Sequence, residues 1–164
     1  MLDKYMLTVS IPTYNRPEYL ENCLDALLKS AANLSVLALR GIAVKVFDNS
    51  ENDASKVIAD NKKYLPLNLS YVSNGENIGS DNNIMQSILC FNSEYVAVMG
   101  DDDYVDQNYF SHVLSLIETN KFDLIFLKSY GLTTSKDLIR PIQLPILRYF
   151  NNPRDILRDR LIQV

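Results

Sequence analysis

The feature that most constrains this chain is a repeated alternation of short β-branched apolar runs with stretches of helical spacing. Met6 to Ile11 reads as a first strand, closed by Pro12, since proline cannot donate to a central ladder. Pro17 suits the first turn of a helix. Leu20, Cys23, Leu24, Leu27 and Leu28 follow at helical spacing, which predicts a helix over 17–31. Residues 33–40 stay open between helix extension and strand. Ile42 to Phe47 is a second strand that runs into Asp48. A helix is expected over 53–64, with Val57 and Ile58 inward and Pro66 as its stop. Leu67 to Val72 reads as a third strand, at an edge. Asp81 opens a helix carrying Ile84, Met85, Ile88 and Leu89. Tyr95 to Met99 is a fourth strand. A helix over 106–119 carries Phe110, Val113, Leu114 and Ile117, and Phe122 to Leu127 is a fifth strand. This order predicts an α/β fold, a mostly parallel central sheet with helices on both faces and right-handed crossovers.

In such a sheet three polar loops gather at the carboxyl edge: residues 12–16, 48–53 and 100–103. Open α/β sheets bind ligands there. The last loop, Gly100-Asp101-Asp102-Asp103, sets three carboxylates side by side at the end of a buried strand. Like charges so close repel, and a divalent cation is the simplest remedy. Hard oxygen ligands suit magnesium or manganese. The competing reading is a solvated acidic turn. In an extended segment Asp101 and Asp103 would point one way and Asp102 the other.

Other edge residues carry two readings each. Asp48 is by default a turn residue or helix cap; in this fold it is also placed to accept a hydrogen bond from a pyrimidine. Tyr14 is either core or a platform for a base. Arg16 is either a surface charge or a phosphate contact. Residues 77–83 form a loop-to-helix transition whose amides would suit an anion, although no GxGxxG motif is present. His112 is the only histidine and receives no role.

Composition narrows the class. The chain has 164 residues, 47% of them apolar, which suits one soluble domain. Net charge is −4. Residues 136–164 carry six basic and three acidic side chains, against ten and seventeen in residues 1–135. An acidic body argues against nucleic-acid binding. The interspersed basic tail reads as a solvated face, with at most peripheral membrane contact. Cys23 and Cys90 sit in apolar helical patterns and read as buried hydrophobes of a reducing compartment. With no transmembrane-length run and no signal-peptide pattern, the chain reads as cytoplasmic, with the inner membrane face as its furthest reach.

Four motifs now join in order and spacing. They are Ser10-Ile11-Pro12-Thr13-Tyr14-Asn15-Arg16, Phe47-Asp48-Asn49-Ser50, Asn77-Ile78-Gly79 and Gly100-Asp101-Asp102-Asp103. Together they resemble family 2 glycosyltransferases of the GT-A fold, a Rossmann-like sandwich. The Gly-Asp-Asp-Asp variant is most similar to the abequosyltransferase-like branch, associated with bacterial surface polysaccharides. The resemblance implies metal-dependent transfer of a sugar from a nucleotide diphosphate to an acceptor hydroxyl, with inversion. It implies that Pro12, Thr13 and Tyr14 border the nucleoside, that Asp48 contacts a base, pyrimidine favoured, and that Asp101 lies near ribose and sugar. Asp102 or Asp103 would hold Mn2+ or Mg2+ on the diphosphate. Arg16, Asn77, Gly79 and Asn82 complete the implied donor site.

Three residues depart from the family pattern: Phe47 and Gly100 replace frequent acidic residues, and Asn82 stands where many relatives carry arginine. Length departs too. The resemblance implies that residues 1–130 form the donor-binding domain and that 131–164 begin an acceptor-side region or form a packing tail. Asp137, Asp155 and Asp159 lie in unrelated contexts, so the catalytic base is expected beyond Val164. The acceptor would be a saccharide or lipid-linked saccharide. Ile156, Leu157, Leu161 and Ile162 would pack on the sheet or pair with another copy in a homo-oligomer. The alternatives are a non-catalytic nucleotide-binding module and, disfavoured by the lack of a glycine-rich basic phosphate loop, a nucleotidyltransferase.

Overall fold

The computed structural model describes residues 5–89, 92–119, 125, 130–132 and 138–141. The chain divides into two compact units, Met1–Lys121 and Phe122–Val164. The first unit contains β1 (Tyr5–Thr13), α1 (Pro17–Ala31), α2 (Val36–Arg40), β2 (Ile42–Asp48), α3 (Ala54–Ala59), a 3-10 helix (Lys62–Leu67), β3 (Leu69–Ser73), α4 (Ser80–Leu89), β4 (Ser93–Val98) and α5 (Tyr109–Glu118). Its sheet runs β3-β2-β1-β4, with every pairing parallel. In the second unit the described residues form a hairpin, β5 (Tyr130–Leu132) antiparallel to β6 (Leu138–Pro141).

The expected α/β architecture is therefore present. β1 and β2 occupy the centre and are buried on both faces, as near-continuous apolar runs of a parallel sheet should be. Helix α1 starts at Pro17 and buries Leu20, Cys23, Leu24 and Leu27, the stripe its spacing predicts. Each fully buried leucine contributes about 1.5–3 kcal/mol of burial. α1 packs beside α3, α5 and the 3-10 helix, whereas α4 lies against β1, β2 and β4. α5 buries Phe110, Val113, Leu114 and Ile117 as expected.

Several local expectations are corrected. Pro12 does not end β1; it lies inside the strand, in register with Phe47. The backbone explains why. Asn49 N–H donates to the Thr13 carbonyl and Met99 N–H to the Ser10 carbonyl. Successive residues of β1 thus face opposite neighbours, and position 12 faces the β4 side, where register has already ended at Ser10. The open segment 33–40 holds the short helix α2, capped by the Ser35 hydroxyl on Ala38 N–H. The helix expected over 53–64 is broken into α3 and the 3-10 helix, with Pro66 inside the latter. Val57 is 70% exposed rather than inward; Ser55 is the buried residue of α3. In α4 the apolar residues Ile84, Met85 and Leu89 are exposed, while Asn83 and Ser87 are buried. That helix meets the ends of strands, where backbone carbonyls need donors. The strand expected over 122–127, apart from Ile125, lies outside the described residues, as do Cys90 and the tail beyond Pro141.

Candidate functional site

The carboxyl ends of β1, β2, β3 and β4 share one edge, and hydrogen bonds tie their loops together. Asn49 N–H reaches the Thr13 carbonyl and Asn74 N–H the Asp48 carbonyl. The loop after β1 turns at Asn15, whose φ of 52° lies in the left-handed region that asparagine tolerates. Asn15 N–H donates to the Ser50 hydroxyl at 2.7 Å, and Asn52 donates to the Asn15 side chain at 2.9 Å. Tyr14 is 44% exposed on this loop, while Thr13 is buried and Pro12 is half-buried.

Past β4 the acidic segment is a turn, not an extended strand, so the expected alternation of its side chains does not apply. Asp103 N–H donates to the Gly100 carbonyl at 3.1 Å, and Gly100 N–H donates to Asp103 Oδ2 at 2.8 Å. Asp101 is fully buried. The Thr13 hydroxyl donates to its Oδ2 at 2.7 Å, Arg16 Nε to the same oxygen at 3.2 Å, and Arg16 Nη2 forms an ion pair with Oδ1. Arg16 Nη1 also reaches Asp102 Oδ2 at 3.1 Å. The chain thus supplies its own cation to the acidic turn. Burial nevertheless pushes the Asp101 carboxyl up from its ordinary value, against the lowering by Thr13 and Arg16.

Gly100 matters here for space. A Cβ at this position would lie 2.8 Å from Asp102 Oδ1 and 3.3 Å from Asp103 Oδ2. Both carboxylates therefore converge over the missing side chain, and both residues are exposed. Cys23 lies beneath, its Sγ 3.8 Å from the Gly100 carbonyl. Burial, then Asp103, Asp101 and Asp102, push its thiol up to about 12, so it is an unreactive core group.

Asp48, at the end of β2, is also fully buried. Ser50 N–H donates to its Oδ1 at 2.8 Å and the Tyr71 hydroxyl to its Oδ2 at 2.7 Å. Around it runs a web of amides. Asn49 donates to Asn77 Oδ1 at 2.7 Å, which also accepts from Gly79 N–H at 2.9 Å. Asn49 Oδ1 accepts from Ile78 N–H and from Asn74. Asn83 donates to the Phe47 carbonyl at 3.0 Å and accepts from Asn74. Gln86 donates to Asn74 Oδ1 at 2.7 Å. Gly79 has φ 86°, a conformation only glycine adopts freely. Asn82 is exposed and donates to the Ile78 carbonyl at 2.8 Å.

The structure thus draws Thr13, Arg16, Asp101 and Asp102 into one hydrogen-bonded and ion-paired group. Asp48, Asn77 and Gly79 lie in or beside the amide web, and Tyr14 and Asn82 sit at its exposed rim. Tyr71, Asn74 and Gln86 escaped the sequence reading, while Asn49 and Asn83 entered it only as members of the 47–50 motif and of the 77–83 transition. The twin amides Asn82-Asn83 in the first turn of α4 were the available signal.

Comparison with known proteins places this edge in context. The family model "Glycosyl transferase family 2" matches residues 8–163. The chain belongs to glycosyl transferase family 2. It is 34% identical over 101 residues to abequosyltransferase RfbV of Salmonella typhimurium LT2, covering 60% of this chain and 28% of that one. In structure it resembles S. aureus TarS, with a TM-score of 0.58 at 22% identity, over 70% of this chain and 20% of that one. The mannosyltransferase PcManGT of Pyrobaculum calidifontis, solved with GDP-Man and Mn2+, gives a TM-score of 0.52 at 20% identity, over 63% of this chain and 29% of that one. The two likenesses establish the GT-A fold. The chain spans about a quarter to two fifths of the first curated relatives it matches.

Among the described residues no three carboxylate, thiol or imidazole groups converge as a self-sufficient cage. Asp102 and Asp103 instead offer two hard, exposed carboxylates over the Gly100 gap. That donor set fits Mg2+ or Mn2+ held by one or two carboxylates, with phosphates and water completing the shell.

Proposed function

We propose that this sheet edge is the donor site of a glycosyltransferase that binds a nucleoside diphosphate sugar and passes the sugar to an acceptor hydroxyl. The observation that carries the reading is the convergence of the Asp102 and Asp103 carboxylates over Gly100, past the end of β4, in a family 2 chain. TarS has been crystallised with UDP-GlcNAc and PcManGT with GDP-Man, which supports a nucleotide-sugar ligand.

The roles follow from position. Tyr14, exposed on the β1 loop, offers a face for the base. Asp101, locked by Thr13 and Arg16, holds the turn so that Asp102 and Asp103 face outward. Those two would hold Mn2+ or Mg2+, which supplies charge neutralisation for the departing diphosphate. The Arg16 guanidinium, half-exposed, stands beside the same turn and offers a second positive group to phosphate. The base that takes the acceptor proton is not assigned to any described residue. The abequosyltransferase relative supports sugar transfer; inversion, a place in surface polysaccharide synthesis and a saccharide or lipid-linked saccharide acceptor are the finer part of this proposal and rest on the motif resemblance.

Calorimetry tests this. UDP should bind the parent at least about tenfold more tightly with manganese than without it, equivalent to about 1.4 kcal/mol. Asp102→Asn combined with Asp103→Asn should erase that gain and leave the fold intact. Equal affinity with and without metal in the parent would defeat the metal-assisted donor site.

A further inference from the structure

We propose that Tyr71, rather than the Asp48 carboxylate, presents the hydrogen-bond acceptor that reads the nucleobase, and that it selects an imide N–H. This deepens the donor-site reading and rests on it. Asp48 has no exposed surface at all, so a base cannot touch it while the loops stand as they do. Its two oxygens already accept from Ser50 N–H and the Tyr71 hydroxyl. The Tyr71–Asp48 bond is only partly buried, and with Asp48 enclosed its open end belongs to the half-buried Tyr71.

The chemistry of that open end is specific. A phenol that gives its proton to a carboxylate keeps lone pairs on oxygen, and the half-buried Tyr71 can accept there as well as from the Ser73 side chain, which lowers its pKa. The buried carboxylate behind it polarises the bond and makes the oxygen a better acceptor. Burial, then Asp48, raise the phenol's pKa, so it holds its proton at ordinary pH. The chain of donors therefore runs from base N–H to Tyr71 oxygen, and from Tyr71 O–H to Asp48. Uracil and thymine carry such an N–H at N3; cytosine does not. Uridine or thymidine diphosphate is thus the expected carrier rather than cytidine diphosphate.

The test uses UDP and its N3-methylated analogue, which lacks the N3 proton, with manganese present. The parent should bind UDP about tenfold or more tightly over the analogue, the scale of one hydrogen bond left unmade. Tyr71→Phe should bring that ratio near one; a purely structural role for the hydroxyl would weaken both ligands alike and keep the ratio. As a measurement free of folding risk, 3-fluorotyrosine at position 71 should shift its fluorine resonance with UDP and much less with the analogue. A ratio unchanged in Tyr71→Phe, or a fluorine signal blind to UDP, overturns the assignment. Binding of GDP or CDP but not UDP by the parent overturns this inference alone, whereas failure to bind any of the three removes the donor-site reading and this inference with it.

Discussion

Asp48 and Asp101 are both fully buried at the same sheet edge, one ending β2 and the other just past β4, yet their charges are balanced differently. Asp48 is met by neutral donors, a backbone N–H and a phenol. Asp101 is met by a hydroxyl and a guanidinium, and the same guanidinium extends to Asp102. Under the proposed function the difference would separate two tasks. Neutral donors leave local negative potential and a directional hydrogen-bond array, which suits recognition of a base edge. A shared cation relieves the crowding of three adjacent carboxylates while leaving two of them exposed, which suits a site that must meet metal and phosphate. A buried charge left without either solution is expensive.

The largest effect should come from removing the cation on the Asp101 side. Arg16→Ala leaves a buried carboxylate with Thr13 alone. Because Arg16 is half-exposed, solvent screens part of the loss, and a cost of about 2 kcal/mol is expected, below the 3–5 kcal/mol typical of a fully buried pair. Urea denaturation measures it. The cost should shrink as pH falls, since protonating Asp101 removes the charge that Arg16 balances. A cost that does not depend on pH would mean that packing of the Arg16 stem, not its charge, is what stabilises the turn.

The second effect concerns the sign of the Asp101 titration. Its folded-state pKa is raised, so the folded chain binds the proton more readily than the unfolded one. Relative to Asp101→Asn, parent stability should therefore rise as pH falls through the raised value. The gain is complete below the ordinary carboxylate value of 3.8. The slope cannot exceed about 1.4 kcal/mol per pH unit for one proton. The opposite slope would show that Arg16 and Thr13 outweigh burial.

The smallest effect on stability is expected at Gly100. Gly100→Ala places a methyl group 2.8 Å from Asp102 Oδ1, but that oxygen can rotate away, so the fold should lose less than about 1 kcal/mol. The consequence belongs to function. With the two carboxylates pushed apart, the manganese-dependent gain in UDP binding should fall, while UDP binding without metal is unchanged. Full retention of the metal gain would show that the gap over Gly100 is not the cation's seat.

What the chain determined by itself was its alternation and its strand ends. Short continuous apolar runs and helical stripes are local, repeated signals, so the parallel sheet, α1 and α5 were legible in advance. So were the loops that carry Thr13, Asp48 and Asp101, because a parallel sheet brings all its carboxyl ends to one edge. Tertiary structure alone decided who partners whom. Tyr71 is twenty-three residues from Asp48, and Arg16 is eighty-five from Asp101. Neither pairing has a local sequence signal. The apolar positions of α4 misled for the same reason. Its inward face meets the strand ends, where the Asn83 amide donates to the Phe47 carbonyl, and Ile84 and Met85 are left exposed. Pro12 likewise sits in a central strand because β4 stops opposite Ser10, a boundary set by a strand more than eighty residues away.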